Sequence, residues 1–118
     1  MASMTRAGLD ETFDVLTHSY RRYVLYHLRT HSEIVDIDTL SAMLANELEG
    51  PSVTNGTKTP ERIKVTLHHT HLPKLADAGL ITFTQDRQSI ELGASHGHGQ
   101  FIDQAAQIDG YAPPAASD

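Results

Sequence analysis

The stretch that decides the fold is residues 59–81, TPERIKVTLHHTHLPKLADAGLI. Thr59 followed by Pro60 is typical of a helix start, because threonine can cap the first turn and proline is tolerated at the first helical position. Gly79 is typical of a helix stop, and the apolar pair after it suits a strand. The sequence therefore predicts a helix over about 60–78 that leads directly into a strand.

The predicted helix combines an apolar face with a local excess of positive charge. Pro73 lies inside it, and we expect a kink there rather than a break, since the apolar register continues beyond the proline. The side chains expected to face the core are Val65, Leu72, Leu75 and Ala76, with Ile63 or Leu67. Between Glu61 and Asp77 there are three cations and no acid, although the chain carries a formal net charge of −6. This local reversal of sign favours an anionic partner.

Three helices and a brief strand are predicted before this stretch. A short helix is expected over about 9–16, and Ser19 should cap a second helix whose apolar stripe comprises Tyr20, Tyr23, Val24, His27, Leu28 and His31. Arg21, Arg22 and Arg29 would lie off that stripe, as solvated or DNA-contacting side chains. Ile34 and Val35 predict a brief strand, Asp38 should cap a helix over 38–49, and residues 50–59 form a loop.

After the helix, the pattern changes to period two. Residues 81–84 and 89–92 alternate apolar and polar side chains around a polar turn, which predicts a β-hairpin. Residues 93–109 are expected to form a glycine-rich linker and a last short helix, and residues 1–8 and 110–118 to be flexible or disordered. Helix, helix, helix and hairpin in this order are typical of a winged helix-turn-helix. We therefore predict a mainly α fold with a small hairpin, in which 9–92 is the DNA-binding domain and 81–92 is the wing.

Composition excludes several classes of function. A chain of 118 residues supports one domain, and the absence of cysteine excludes disulfides and thiolate chemistry. No apolar run approaches the length of a membrane span, so we expect a cytoplasmic protein without a membrane partner. No phosphate-binding glycine loop or catalytic motif is present, which predicts a protein that is not an enzyme and needs no cofactor.

Two segments resemble a known family. His71-Leu72-Pro73-Lys74-Leu75-Ala76-Asp77-Ala78-Gly79-Leu80-Ile81 resembles the end of the recognition helix in ArsR-like winged-helix regulators. Together with Ser19-Tyr20-Arg21-Arg22-Tyr23-Val24-Leu25, it is similar to a haloarchaeal family of small winged-helix domains. The resemblance implies a homodimeric transcription regulator that binds double-stranded DNA. Two departures from the usual motif are the loop of about ten residues before the helix and Pro73 within it.

Candidate site residues follow from this arrangement. The residues expected to contact DNA are Arg62, Lys64, Thr66, His69, Thr70, Lys74, Arg87, Arg21 and Arg22. For Arg62, the alternative to a DNA contact is that the side chain pairs with Glu61 or with solvent. The residues expected to form the dimer surface are Leu9, Phe13, Phe101, Ile102 and Ile108, because a small domain gains core by burying terminal apolar residues on a partner.

The histidines leave a metal site as an alternative. His68 and His71 are three residues apart and could share a helix face, while His96 and His98 alternate in the glycine-rich linker. We expect His68 to be a core histidine and His71 to pack as well, so no metal is predicted. Two other functions stay open: a winged-helix module that binds a protein instead of DNA, and a histidine-based metal-responsive regulator.

Overall fold

The computed structural model describes residues 6–31, 33–49, 58–93 and 99–111. Within these ranges the α-helices are α1 (Arg6–Val15), α2 (Ser19–His31), α3 (Ile37–Leu44), α4 (Lys58–Thr66), α5 (Leu72–Asp77) and α6 (Gly99–Asp109). Two π-helical turns continue them: Ala45–Glu49 extends α3, and Leu67–His71 joins α4 to α5. The strands are β1 (Val35–Asp36), β2 (Ile81–Phe83) and β3 (Ser89–Leu92). The predicted mainly α fold with a small β-hairpin is confirmed.

The three strands form one antiparallel sheet in the order β1-β3-β2. Ile90 of β3 is the centre of the register, facing Phe83 on one side and Val35 on the other. The hairpin of β2 and β3 confirms the period-two prediction. The sequence predicted a brief strand at Ile34 and Val35, and the structure places β1 one residue later; its pairing with β3 is a contact that local pattern does not reveal.

The helix α2 is buried on more of its surface than its sequence stripe predicted. It contacts α3 and β3 on one side and α6 on another. Leu25 and Tyr26 are therefore buried, whereas Tyr20 and His27, which were expected in the stripe, remain partly exposed. The Tyr26 hydroxyl donates a hydrogen bond of 2.6 Å to Asp109 of α6. The single-stripe prediction was wrong because a second helix covers α2.

Helices α2, α3 and α4 start one or two residues earlier than predicted. Asp36, not Asp38, caps α3, since its carboxylate accepts the Thr39 backbone N–H at 3.0 Å. His18 precedes α2 and accepts the Tyr20 backbone N–H on Nδ1 at 3.1 Å, a role predicted for Ser19. α4 begins at Lys58, so the predicted cap residue 59 lies within its first turn. Strand β1 leads directly into α3, so Asp36, the last residue of the strand, is also the residue that caps the helix.

The helical run 58–77 is not broken at Pro73, as expected. Proline lacks the N–H that an α-helix needs and crowds the carbonyl four residues earlier. The wider π-helical turn Leu67–His71 precedes it, and the Leu72 backbone N–H donates to the carbonyl of Leu67, five residues before. Ile63 and Leu67 are buried, whereas Val65 is 58% exposed, so the prediction that Val65 faces the core was wrong.

The chain leaves α5 through Gly79, whose φ of 79° is the left-handed conformation that glycine adopts at a helix end. At the other end of the chain, α1 starts at Arg6, three residues before the predicted helix. The predicted loop 50–59 and linker 93–99 fall mostly outside the described residues, as does the tail 112–118. Among the described helices, none has both the length and the apolar character that crossing a membrane requires.

Candidate nucleic-acid interface

The outward face of the 58–77 helix holds most of the predicted reading residues. Arg62, His69 and Thr70 are exposed and Thr66 is half-exposed. They recur at steps of three and four residues, on the opposite side of the helix from the buried Ile63, Leu67, His71, Leu72 and Leu75. The structure therefore brings these four side chains together on one polar surface, which we call the outward face.

The sequence missed two members of the outward face. Val65, which was assigned to the core, is exposed there, and Glu61 is exposed at its beginning. The spacing of Val65 from Arg62 and His69, three and four residues, could have placed it on this surface. The outward face therefore contains one cation, one acid, one aliphatic side chain and three hydrogen-bonding side chains.

Two of the three cations in the acid-free stretch are neutralised by other elements. Lys64 Nζ lies 2.6 Å from Asp38 Oδ1 of α3. Lys74 Nζ contacts the carboxylate of Asp14 in α1, and this hydrogen bond lowers the pKa of Asp14 below its usual value. Both pairs are partly solvated, so they weaken the local positive field rather than bury it. The charge reversal seen along the sequence is therefore much smaller in space.

The arginines of α2 are also engaged within the chain, and the predicted exposure was wrong for Arg21 and only partly right for Arg22. Arg21 is only 7% exposed. Its Nε donates to the Val15 carbonyl at 2.8 Å, and Nη2 donates to the Asp14 carbonyl at 3.3 Å and to Thr17 Oγ1 at 3.2 Å. Its guanidinium caps the end of α1 and is turned away from solvent. The prediction that Arg21 contacts DNA is incompatible with this burial.

Arg22 and Arg29 pair with acids of α6. Arg22 holds both carboxylate oxygens of Asp109, at 2.8 and 3.3 Å, and donates to the Leu16 carbonyl. Arg29 holds Asp103 in the same bidentate manner, with both distances 2.9 Å. Bidentate pairing fixes the position of a guanidinium as well as its charge. Arg22 is accordingly a link between α2 and α6, which conflicts with its predicted DNA contact.

Arg87 occupies the tip of the hairpin, as predicted. Its φ of 58° is left-handed, an uncommon conformation for a residue with a side chain. Asp86 Oδ1 stabilises the turn by accepting the Gln88 backbone N–H at 3.0 Å and the Thr84 hydroxyl at 2.7 Å. The guanidinium carbon lies 4.1 Å from the centre of the Phe83 ring. The charge is thus positioned over the hairpin face and stays exposed.

His71 packs in the core, as expected, whereas His68 is partly exposed, so the prediction of His68 as a core histidine was wrong. His71 is 4% exposed, and its Nδ1 lies 2.9 Å from Arg21 Nη1, so the ring nitrogen accepts and the guanidinium donates. Burial, followed by the charges of His18 and Arg21, lowers the pKa of His71 to about 4. Because Nδ1 accepts from Arg21, Nε2 carries the proton of the neutral ring, and neither nitrogen has a lone pair available for a metal ion. His68 is partly exposed, and no group of three metal-binding side chains exists among the described residues.

The predicted dimer residues divide into two sets. Phe13 and Phe101 pack edge to face with centroids 5.7 Å apart and leave Phe13 half exposed, and Ile108 is 86% exposed. Ile102 is only 4% exposed and packs into the core of its own chain, so its assignment to a dimer surface was wrong. The side chain of Leu9, like His96 and His98, lies outside the described residues.

Comparison with known proteins adds a family but no activity. Neither a curated protein nor a solved structure matches the chain. A family model described as "Domain of unknown function (DUF7344)" matches residues 13–91, which span α2 to β3 and exclude α6. The chain belongs to this family of DUF7344 domains.

Proposed function

We propose that the protein is a sequence-specific, double-stranded DNA-binding transcription regulator of the winged helix-turn-helix type. In this assignment α3 with its π-helical turn precedes a recognition helix, residues 58–77, and the β2–β3 hairpin is the wing. The sheet order β1-β3-β2, in which the strand before α3 pairs with the second wing strand, supports the assignment. The observation that carries it is the polar outward face of the 58–77 helix, directly followed by the hairpin. Such a regulator would act in the cytoplasm and would not be an enzyme.

The outward face has side chains suited to the major groove of DNA. A major groove admits an α-helix, and arginine can bond guanine through two acceptors. Arg62 is the candidate for that contact, Thr66 and Thr70 for phosphates or thymine methyl groups, and His69 for a base edge. Val65 adds an apolar group that can pack on a thymine methyl. Lys64 and Lys74 would reach phosphate only after leaving Asp38 and Asp14.

The charge balance predicts weak non-specific binding. Among the exposed cations whose side chains the structure describes, Arg62 and Arg87 have no carboxylate within ion-pair distance; Arg21 has none either, but it is buried. Each neutralised phosphate contributes a slope of about −0.9 to the dependence of log K on log salt. Two contacts per protomer would give a shallow slope. Binding would then depend on base contacts and DNA shape, which suits the salt-adapted relatives that the sequence resembles.

We further propose that the regulator is a homodimer joined through α1 and α6. The supporting observation is the exposed apolar surface of Phe13 and Ile108, next to the Phe13–Phe101 ring pair. A two-fold pair doubles the length of DNA that one module reads. A partner that covered Ile108 would also protect α6, whose only fully buried side chain among those described is Ile102.

A second candidate function is a winged-helix module that binds a protein. The paired state of Lys64, Lys74, Arg22 and Arg29 favours it, because a surface with few available cations suits a neutral partner as well as DNA. Val65 on the outward face would then be the apolar centre of a protein contact. A DNA-binding test of variants must therefore also measure whether each variant is folded.

We expect Arg62→Ala to weaken binding to a labelled fragment of the protein's own promoter region by about tenfold or more, the cost of one base-reading arginine. Fluorescence anisotropy at several salt concentrations measures it. Arg29→Ala is the matched control, because it removes the same charge from a surface arginine outside the proposed interface. Equal affinities of wild type, Arg62→Ala and Arg29→Ala would contradict the assignment, and no binding by the wild type would favour the protein-binding module.

A further inference from the structure

Two histidines at the end of α2 form a pair that neither the fold nor the proposed interface uses. His27 and His31 are four residues apart, and their rings stack with centroids 4.1 Å apart and an angle of 29° between the planes. Both side chains are partly exposed. Residues four apart on a helix lie on one face, one turn above the other. The two imidazoles can therefore approach a common ligand without a change in the backbone.

The hydrogen bond of His31 fixes which of its nitrogens is available. His31 Nδ1 lies 3.0 Å from the carbonyl oxygen of His27. A carbonyl oxygen only accepts, so Nδ1 carries the proton and donates, which leaves a lone pair on Nε2. Donation of the second ring N–H to a backbone carbonyl is the arrangement that orients metal-binding histidines.

The electrostatic surroundings favour a cation. The pair lies in the last two turns of α2, which ends at His31, and a helix C-terminus carries the negative end of the helix dipole. Glu33, the second residue after His31, is exposed and adds a negative charge beyond the end of α2. The intervening cation, Arg29, is held by Asp103 of α6 rather than by the histidines.

We propose that His27 and His31 form a two-histidine site for a late first-row divalent transition metal, such as Ni²⁺, Cu²⁺ or Zn²⁺. Imidazole nitrogen is a preferred ligand of these ions, whereas Mg²⁺ prefers oxygen. No third histidine or carboxylate completes the set within the described ranges, so water would fill the other positions. The site is independent of the proposed DNA interface and different from the rejected pair His68 and His71.

A metal ion bound to both His27 and His31 would cross-link the last two turns of α2, close to where α2 packs against α6. Gly99, the first residue of α6, lies so close to Arg29 that an added Cβ would be 2.9 Å from its Nη1. Fixing the end of α2 should therefore also stabilise the docking of α6. A rise in melting temperature is the expected consequence, because an ion that binds the folded state more tightly stabilises it.

Isothermal titration calorimetry and thermal unfolding of the full chain, freed of metal by a chelator, test the site with Ni²⁺, Zn²⁺ and Mg²⁺. The background is a His96→Ser, His98→Ser variant, because those two linker histidines could bind metal themselves. His27→Gln and His31→Gln are each made in this background, and His68→Gln with His69→Gln is the matched control. Circular dichroism confirms that each variant retains its helices.

We expect one Ni²⁺ or Zn²⁺ per chain, a higher melting temperature and no effect of Mg²⁺. Each single variant should lose roughly tenfold to a hundredfold in affinity, the loss expected when two-point attachment becomes one-point. The His68, His69 control should bind like the background. The proposal is overturned if the background binds no metal, if Mg²⁺ binds equally well, or if either single variant binds as tightly as the background.

Discussion

Replacing Arg21 by alanine should destabilise the protein by about 3 kcal/mol, a large share of the roughly 5–15 kcal/mol that holds a domain together. The guanidinium satisfies the carbonyls of Val15 and Asp14 and the Nδ1 of His71. Each buried group left without a partner costs about 1–3 kcal/mol. Urea unfolding monitored by circular dichroism measures the change.

Two variants separate the causes of this loss. Arg21→Met keeps most of the apolar stem and removes the hydrogen bonds, so it should recover only the packing part of the lost stability. Arg62→Ala, on the exposed outward face, should change stability by no more than about 0.5 kcal/mol. If Arg21→Ala were as stable as Arg62→Ala, the burial of the guanidinium and its role as a link between α1, α2 and the 58–77 helix would be refuted.

Acidification should destabilise the fold between pH 6.5 and about 4, and most of this window lies above the range in which carboxylates titrate. The pKa of His71 is lowered to about 4 in the folded state from 6.5, so the unfolded chain binds the proton first. Stability is then complete above pH 6.5 and falls as pH decreases towards 4. At about 1.4 kcal/mol per pKa unit, the loss is about 3 kcal/mol.

The main physical reason is the burial of His71, and the positive or ionisable groups around it act in the same direction. Arg21 faces it from α2, and His18, whose own pKa is lowered mainly by burial, lies with its ring centre 4.2 Å away. Tyr20 packs against the edge of the same ring and stays uncharged over this range. A second positive charge on His71 has no acid to balance it.

His71→Gln should remove most of the pH dependence of stability between pH 6.5 and 4. The amide oxygen of glutamine can accept a hydrogen bond from Arg21, and the amide does not titrate. His18 and His27 have pKa values lowered in the same direction, so a smaller slope remains. The measurement is the urea midpoint at half-unit steps of pH, with chelator present. An unchanged slope in His71→Gln would show that His71 does not control the acid sensitivity.

Local pattern predicted the elements well and their interactions poorly. The hairpin and the helix that continues past Pro73 follow from periodicity and turn residues, which act over a few positions. The ion-pair partners of the cations cannot be predicted from such short-range patterns, because Arg22 and Asp109 are 87 residues apart. Residues 62–76 contain no acid along the sequence. In the folded chain, however, Lys64 and Lys74 pair with carboxylates of other helices.

The candidate site was predicted in part for the same reason. Arg62, Thr66, His69 and Thr70 share a face because helical spacing alone determines it. Val65 and His68 were misassigned because the π-helical turn Leu67–His71 and the packing of α2 shift which side is covered. The burial of Arg21 could not be anticipated, since an arginine beside two partly exposed tyrosines is typical of a solvated face.

Genome-wide mapping of bound DNA tests the central proposal most directly. The wild type and Arg62→Ala are expressed at equal levels in the native host and recovered with their cross-linked DNA. We predict discrete sites that share a two-fold symmetric sequence in the wild type and lose enrichment in Arg62→Ala. No enrichment in the wild type above a control without the protein, or the same sites at the same occupancy in Arg62→Ala, would contradict the assignment of the 58–77 helix as the element that reads DNA.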